Sequence, residues 1–169
     1  SLVARERNLG TIELINTLPI KIHEFVIGKY LASVTLIVAG LAITLVHFFT
    51  LMKVGTNIDY GAAICGYFGL ALVGAVYASA GTFASSVTDN QVVSFIIAVF
   101  IVIVFWLLDK MLIFVPSGLA GLIQFMSVDY HFTNLSRGVI DTRNLIYFGS
   151  VIGFFLFLTH RLIEIRKWK

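Results

Sequence analysis

Charged residues are so sparse along this chain that they divide it into long uncharged stretches, most of whose side chains are apolar. A helix needs about 20 consecutive apolar residues to cross the hydrocarbon core of a membrane. Four stretches reach or approach that length. The pattern therefore predicts four transmembrane helices, at residues 30–52, 60–87, 91–108 and 143–160.

A fifth uncharged stretch, residues 111–128, does not fit a further span. It begins too soon after the third predicted helix to leave room for a turn across the headgroups, and it contains the helix-breaking sequence Pro116-Ser117-Gly118. We expect this stretch to form an interfacial or re-entrant helix on the outer side, before the last span.

The first 28 residues are more polar, and their apolar side chains Ile12, Ile15, Leu18 and Ile22 recur at helical spacing. Proline is tolerated in the first turn of a helix but not in its interior. Pro19 therefore predicts one amphipathic helix ending near residue 17 and a second helix starting near residue 19. Residues 1–28 are either a docking segment for a cytoplasmic partner or an interfacial anchor without a partner.

The basic residues indicate an even number of spans. An even number of spans places both chain ends, and therefore the basic residues of both ends, on the same side of the membrane. Membrane proteins carry most of their Lys and Arg residues in the segments that face the cytoplasm. The two ends carry Arg5, Arg7, Lys21, Lys29, Arg161, Arg166, Lys167 and Lys169. The opposite side keeps only Lys53, Lys110, Arg137 and Arg143. Both ends are thus predicted to be cytoplasmic.

The composition agrees with a membrane protein. The chain is 59% hydrophobic and 12% charged, with a mean hydropathy of +0.96, whereas soluble domains carry about 25% charged residues. The net charge of +3 is spread without a dense basic face, so we expect no nucleic-acid partner. The single cysteine excludes an intrachain disulfide.

The second predicted span contains small residues at four-residue spacing, Ala71, Ala75 and Ser79, with several glycines nearby. Small residues let helices approach closely in lipid. Packing within the chain, a dimer interface and a moving interface all remain compatible with this pattern. After this span, Thr88 and Gln91 have the spacing of a capping box.

Signatures of catalysis are missing from the sequence. The nearest approach to a nucleophile elbow, at residues 77–81, lacks the first glycine. Asp129 and His131 alone are too few ligands to indicate a metal site, and we place His47 near the outer headgroups. We therefore predict a non-enzymatic protein without catalytic residues, cofactor or metal.

Three stretches resemble a known family. Residues 6–29 contain Glu-Arg, then Gly-Thr-x-Glu-Leu, Leu-Pro and Gly-Lys, and they resemble the coupling segment of ABC-2-type transporter permeases. Residues 81–91 and 131–147 are similar to the branch that contains the gliding-motility permease and the permeases associated with nitrous-oxide reductase. The second of these, followed by Phe-Leu-Phe-Leu-Thr159, is closest to the gliding-motility type.

The resemblance implies an all-α membrane protein of the bacterial cytoplasmic (inner) membrane, in which the four spans follow an amphipathic cytoplasmic coupling helix. Residues 1–169 would be the C-terminal portion of one permease domain, without its first two spans. Its implied partners are a separate ABC ATPase subunit, a second permease subunit and membrane lipid. The residues implied to contact the ATPase are Glu6, Arg7, Gly10, Thr11, Glu13 and Leu14.

The implied function is a permease subunit that couples ATP hydrolysis by the ATPase subunit to substrate movement, with a role in gliding motility. The alternative is a structural or anchoring subunit of a motility or envelope complex that moves no substrate.

Overall fold

The computed structural model describes residues 21–55, 59–111 and 116–167. These residues form six helices and no strand. The helices are α1 (Ile22–Val54), α2 (Tyr60–Val87), α3 (Gln91–Met111), α4 (Ser117–Met126), α5 (Val128–Ser136) and α6 (Thr142–Lys167).

Four of these helices, α1, α2, α3 and α6, are long and apolar enough to cross a membrane. This confirms the predicted all-helical class and the predicted number of spans. α1 runs without interruption for 33 residues, so the predicted first span lies inside a helix that starts at Ile22. Residue 19, where we expected a helix to start, lies outside the described residues.

Two short helices, α4 and α5, fill the region between the third and fourth long helices. Pro116 immediately precedes α4, as expected for a residue that cannot continue a preceding helix but fits the start of the next. A single residue, Ser127, separates α4 from α5, and its hydroxyl caps α5 by accepting a hydrogen bond from the Tyr130 amide at 3.3 Å. α5 was not among the predicted helices.

The turn between α2 and α3 is closed by Asn90 rather than by the capping box that we predicted from Thr88 and Gln91. The Asn90 side-chain oxygen accepts hydrogen bonds from the amides of Val92 at 2.9 Å and Val93 at 3.4 Å. The Thr88 hydroxyl accepts instead from the Asn90 amide. Asn90 is therefore the residue that satisfies the first free amides of α3.

The described residues divide into two compact units. Residues 21–33, 76–104 and 149–167 belong to the first, and residues 34–75 and 105–148 belong to the second. The long helices contribute to both units.

The core of the first unit consists mainly of small and hydroxylated side chains of α2. Val76, Ser79, Ala80, Ala84 and Ser85 are all completely buried. The Ser79 hydroxyl donates to the Val76 carbonyl of its own helix at 2.7 Å, which is how a hydroxyl is satisfied where water is absent.

Large apolar side chains cover the outside of the long helices. On α3 they include Phe95, Ile96, Phe100, Ile103 and Trp106, each exposed by 45% or more. In a soluble protein such a surface would be a liability, whereas in a membrane it is the surface that contacts lipid or other helices.

Candidate functional site

The residues predicted to contact an ATPase, Glu6, Arg7, Gly10, Thr11, Glu13 and Leu14, lie outside the described residues. The described chain begins just after them, where it enters α1. The Glu24 carboxylate accepts a hydrogen bond from the Lys21 amide at 3.1 Å, which is the half of a capping box that a glutamate supplies. The last part of the predicted docking segment, residues 1–28, therefore contains the capped start of α1.

The small residues predicted to allow close helix packing do so in the second unit. A Cβ atom placed on Gly74 would lie 2.7 Å from Cγ2 of Ile37 on α1. A Cβ atom on Gly69 would lie 3.1 Å from the Phe132 ring and 3.3 Å from the Leu135 Cβ atom. Within this unit, α1 and α5 thus each contact α2 at a position where a larger side chain has little room.

A second contact joins α1 to α2 closer to the α1–α2 connection. The Tyr67 hydroxyl donates to the Thr44 carbonyl at 3.1 Å, and the Phe48 ring lies edge-on to the Tyr67 ring at 6.0 Å. This hydrogen bond uses a carbonyl in the interior of α1 and fixes the register between the two helices.

The most elaborate polar arrangement among the described residues surrounds His131 on α5. Nδ1 of His131 lies 2.7 Å from Oδ1 of Asn144, and its Nε2 lies 2.9 Å from the Phe125 carbonyl oxygen. The His131 ring stacks on Tyr147, with centroids 4.0 Å apart and planes 19° apart. His131 and Asn144 are 2% and 3% exposed, so their polar atoms are almost completely withdrawn from the surface.

This arrangement, which we call the His131 cluster (Phe125, Met126, His131, Asn144 and Tyr147), ties the end of α4 to α5 and α6. The last carbonyls of a helix have no partner within the helix. Here the Tyr147 hydroxyl donates to the Met126 carbonyl, and the His131 ring contacts the Phe125 carbonyl. The cluster therefore satisfies two otherwise unpaired carbonyls of α4.

Two residues of the stretch 131–147 shape the turn from α5 to α6. Gly138 has a positive φ of 82°, and the amides of Gly138 and Val139 donate to the carbonyls of Leu135 and Asn134, which is the Schellman pattern that ends a helix. Asp141 then caps α6 by accepting from the Arg143 amide at 2.9 Å. Gly138 and Asp141, which belong to the stretch 131–147 that resembles the gliding-motility permease, thus have structural roles.

The other candidate site residues are not brought together. Asp129 forms an ion pair with Lys110 at 3.7 Å, while His131 binds Asn144, so the two do not form a shared site. Within the described ranges, no group of three potential metal ligands is found. His47 is exposed on α1.

A family model described as ABC-2 family transporter protein matches residues 1–157, which is nearly the whole chain. The chain belongs to the ABC-2 transporter family. Comparison with curated proteins and with solved structures finds no match. The family and the four long apolar helices together identify a multi-pass membrane protein.

Members of the ABC-2 transporter family are normally non-enzymatic, and they work with an ABC ATPase partner in a dimeric arrangement. The coupling residues predicted for this ABC-2 protein lie within the matched range. Sequence reasoning missed the His131 cluster, because its members belong to three helices and no periodicity connects them. The only signal was the mixture of polar and aromatic residues after residue 128.

Proposed function

We propose that this chain is the membrane-embedded part of a permease subunit, which couples ATP hydrolysis by a separate ATPase subunit to the movement of a substrate across the bacterial cytoplasmic (inner) membrane. The observation that carries the proposal is the family match over residues 1–157 on a chain with four helices suited to cross a membrane.

The proposed ATPase contact consists of Glu6, Arg7, Gly10, Thr11, Glu13 and Leu14. An amphipathic helix that exposes charges of both signs fits a groove on a soluble partner. Leu14 is close in sequence to Lys21, whose amide takes part in the cap of α1. We propose that a displacement of the docking segment moves α1, since movement of whole helices is how many transporters alternate access.

The distribution of basic residues supports a cytoplasmic location for both ends. In that orientation the start of α1, the turn at Asn90 and the end of α6 face the ATPase, whereas α4 and α5 lie on the outer side. We propose that α4 is interfacial or re-entrant, that a second permease subunit completes the transporter, and that its process is gliding motility.

Carboxylate substitutions test the docking segment in the full permease, reconstituted in nanodiscs with the ATPase that copurifies with it. We expect Glu13→Ala to weaken ATPase binding by about 2 kcal/mol, roughly 30-fold in Kd, with a matching loss of stimulated ATP turnover. Asp129→Ala is the control. Asp129 belongs to α5, on the proposed outer side, and pairs with Lys110 at 3.7 Å, so its loss leaves the docking segment intact.

The proposal fails if Glu13→Ala and Asp129→Ala bind and stimulate the ATPase equally well. A complex that hydrolyses ATP in sealed vesicles without moving any tested substrate would instead support the structural or anchoring role.

A further inference from the structure

The turn between α5 and α6, residues 137–143, combines a fixed backbone with an apolar surface. Its backbone is held by the positive φ of Gly138 and by the cap that the Asp141 carboxylate places on α6. Val139 and Ile140, which lie between these two residues, are 58% and 60% exposed. Large apolar side chains gain free energy when they leave water. The turn therefore presents a small apolar surface that an environment less polar than water would stabilise.

Two arginines flank this apolar surface. Arg137 precedes it and Arg143 follows it, and both residues are exposed. Among the described residues neither guanidinium group forms an ion pair. The one carboxylate between them, that of Asp141, accepts a hydrogen bond from the backbone amide of Arg143. Both guanidinium groups therefore keep their donors for an anion.

The turn lies at the level where two spans begin. A Cβ atom on Gly138 would lie 3.6 Å from the Ala62 Cα atom, and Ala62 is the third residue of α2. The uncharged stretch of α6 begins directly after Arg143 and continues to Thr159. Long basic side chains at the end of an apolar span reach into the headgroup region. The turn is thus placed at the boundary between the hydrocarbon core and the headgroups.

We propose that residues 137–143 form a phospholipid-binding turn. Arg137 and Arg143 bind headgroup phosphates, and the two apolar side chains between them enter the adjacent acyl-chain region. The guanidinium group presents its N–H donors in a fixed fork that matches two oxygens of a phosphate. The charge of the two arginines favours anionic headgroups such as phosphatidylglycerol. This binding needs no ATPase, so it goes beyond the proposed permease function.

A phospholipid fits this surface better than a protein partner does. A specific protein interface buries about 800 Å² on each partner and uses about 20–30 residues of each. The turn has seven residues, of which only Val139 and Ile140 are apolar and exposed. Lipid surrounds the start of both spans in any case, so it meets the turn without a further binding surface.

Fluorescence quenching tests the depth of the turn. The chain has two tryptophans, Trp106 and Trp168, and replacing both by phenylalanine makes Ile140→Trp the single reporter. In nanodiscs of phospholipids brominated at defined acyl positions, we expect bromine near the headgroup to quench this reporter more than bromine near the chain end. A reporter that no brominated lipid quenches would overturn the proposal. If aqueous iodide also fails to quench it, a protein covers the turn instead.

Binding of phosphatidylglycerol to the delipidated full chain, measured by native mass spectrometry, tests the arginines. We expect Arg137→Gln and Arg143→Gln each to weaken binding about fivefold. Lys110→Gln is the matched control, because it removes the same charge from a side chain that is already paired with Asp129 at 3.7 Å. It should leave the affinity unchanged. Circular dichroism of each variant checks that it is folded.

Competition separates a lipid site from a site for a free phosphate ester. Glycerophosphoglycerol carries the same headgroup without acyl chains, and in excess it should not displace phosphatidylglycerol. Displacement by this soluble headgroup would overturn the proposal. The same conclusion would follow if both arginine variants bound the lipid as tightly as the parent, or if Lys110→Gln lost as much affinity as they do.

Discussion

Replacing Gly74 by alanine tests the close contact between α1 and α2. The added Cβ would lie 2.7 Å from Cγ2 of Ile37, whereas ordinary contact begins at 3.4 Å. Isoleucine is branched at Cβ and has one strongly preferred χ1 rotamer in a helix. The Ile37 methyl group therefore cannot move aside cheaply, and the helices must separate locally to admit the new atom.

The expected cost follows from comparison with Gly66 on the same helix, where an added Cβ meets nothing within 4 Å. Both substitutions gain the same helix propensity, about 0.5–1 kcal/mol relative to glycine. Only Gly74→Ala carries the overpacking cost of about 1–3 kcal/mol. We therefore expect it to be less stable than Gly66→Ala by that amount, which is about 5- to 150-fold in the equilibrium constant for unfolding.

Unfolding of the purified protein by SDS titration from mild detergent micelles measures this difference. In the double variant Ile37→Ala/Gly74→Ala the opposing methyl group is gone, so the cost of the alanine should largely disappear. The reasoning is refuted if Gly74→Ala is as stable as Gly66→Ala, or if the effects of the Ile37 and Gly74 substitutions simply add.

Substitutions at three further positions test the turn and the cluster around α5. Gly138→Ala should destabilise the protein by about 1–2 kcal/mol because of its positive φ, and thermal unfolding in detergent should show Gly138→Asn to be milder. Asp141→Ala should cost about 1 kcal/mol by removing the cap of α6, whereas Asp141→Asn should restore most of it in the same assay. Tyr147→Phe removes the donor to the Met126 carbonyl and should cost about 1–3 kcal/mol, with faster amide hydrogen exchange at the end of α4. Unchanged exchange there would contradict the assigned role of the Tyr147 hydroxyl.

The long helices were predictable because a membrane imposes a simple rule on composition. The uncharged stretch from Tyr60 to Thr88 marks α2, which the structure places at Tyr60–Val87. The even number of spans followed from the positions of the basic residues. Both arguments depend on side-chain chemistry summed over many positions, so no single contact was needed.

The short elements and the cluster were not predictable in the same way. α5 is a nine-residue helix with polar and aromatic residues intermixed, and its buried residues are held by contacts with other helices. His131 and Asn144 are 13 positions apart in sequence and meet only because Gly138 and Asp141 define the turn between their helices. The capping box predicted from Thr88 and Gln91 failed because threonine and asparagine both cap well, and only the course of the backbone decides which of them caps α3.

The positions of the charges on α6 also determine how this helix fits a bilayer. Arg143 and Arg161 are about 27 Å apart along the helix axis, at 1.5 Å rise per residue, which is slightly less than the hydrocarbon thickness of about 30 Å. α2, with 28 residues and no charge, rises about 42 Å. A short span is accommodated by local thinning of the bilayer or by long side chains reaching to the headgroups, and a long span by tilting. We therefore expect the bilayer to thin beside α6 and α2 to tilt, so that changes in lipid chain length affect the two helices in opposite directions.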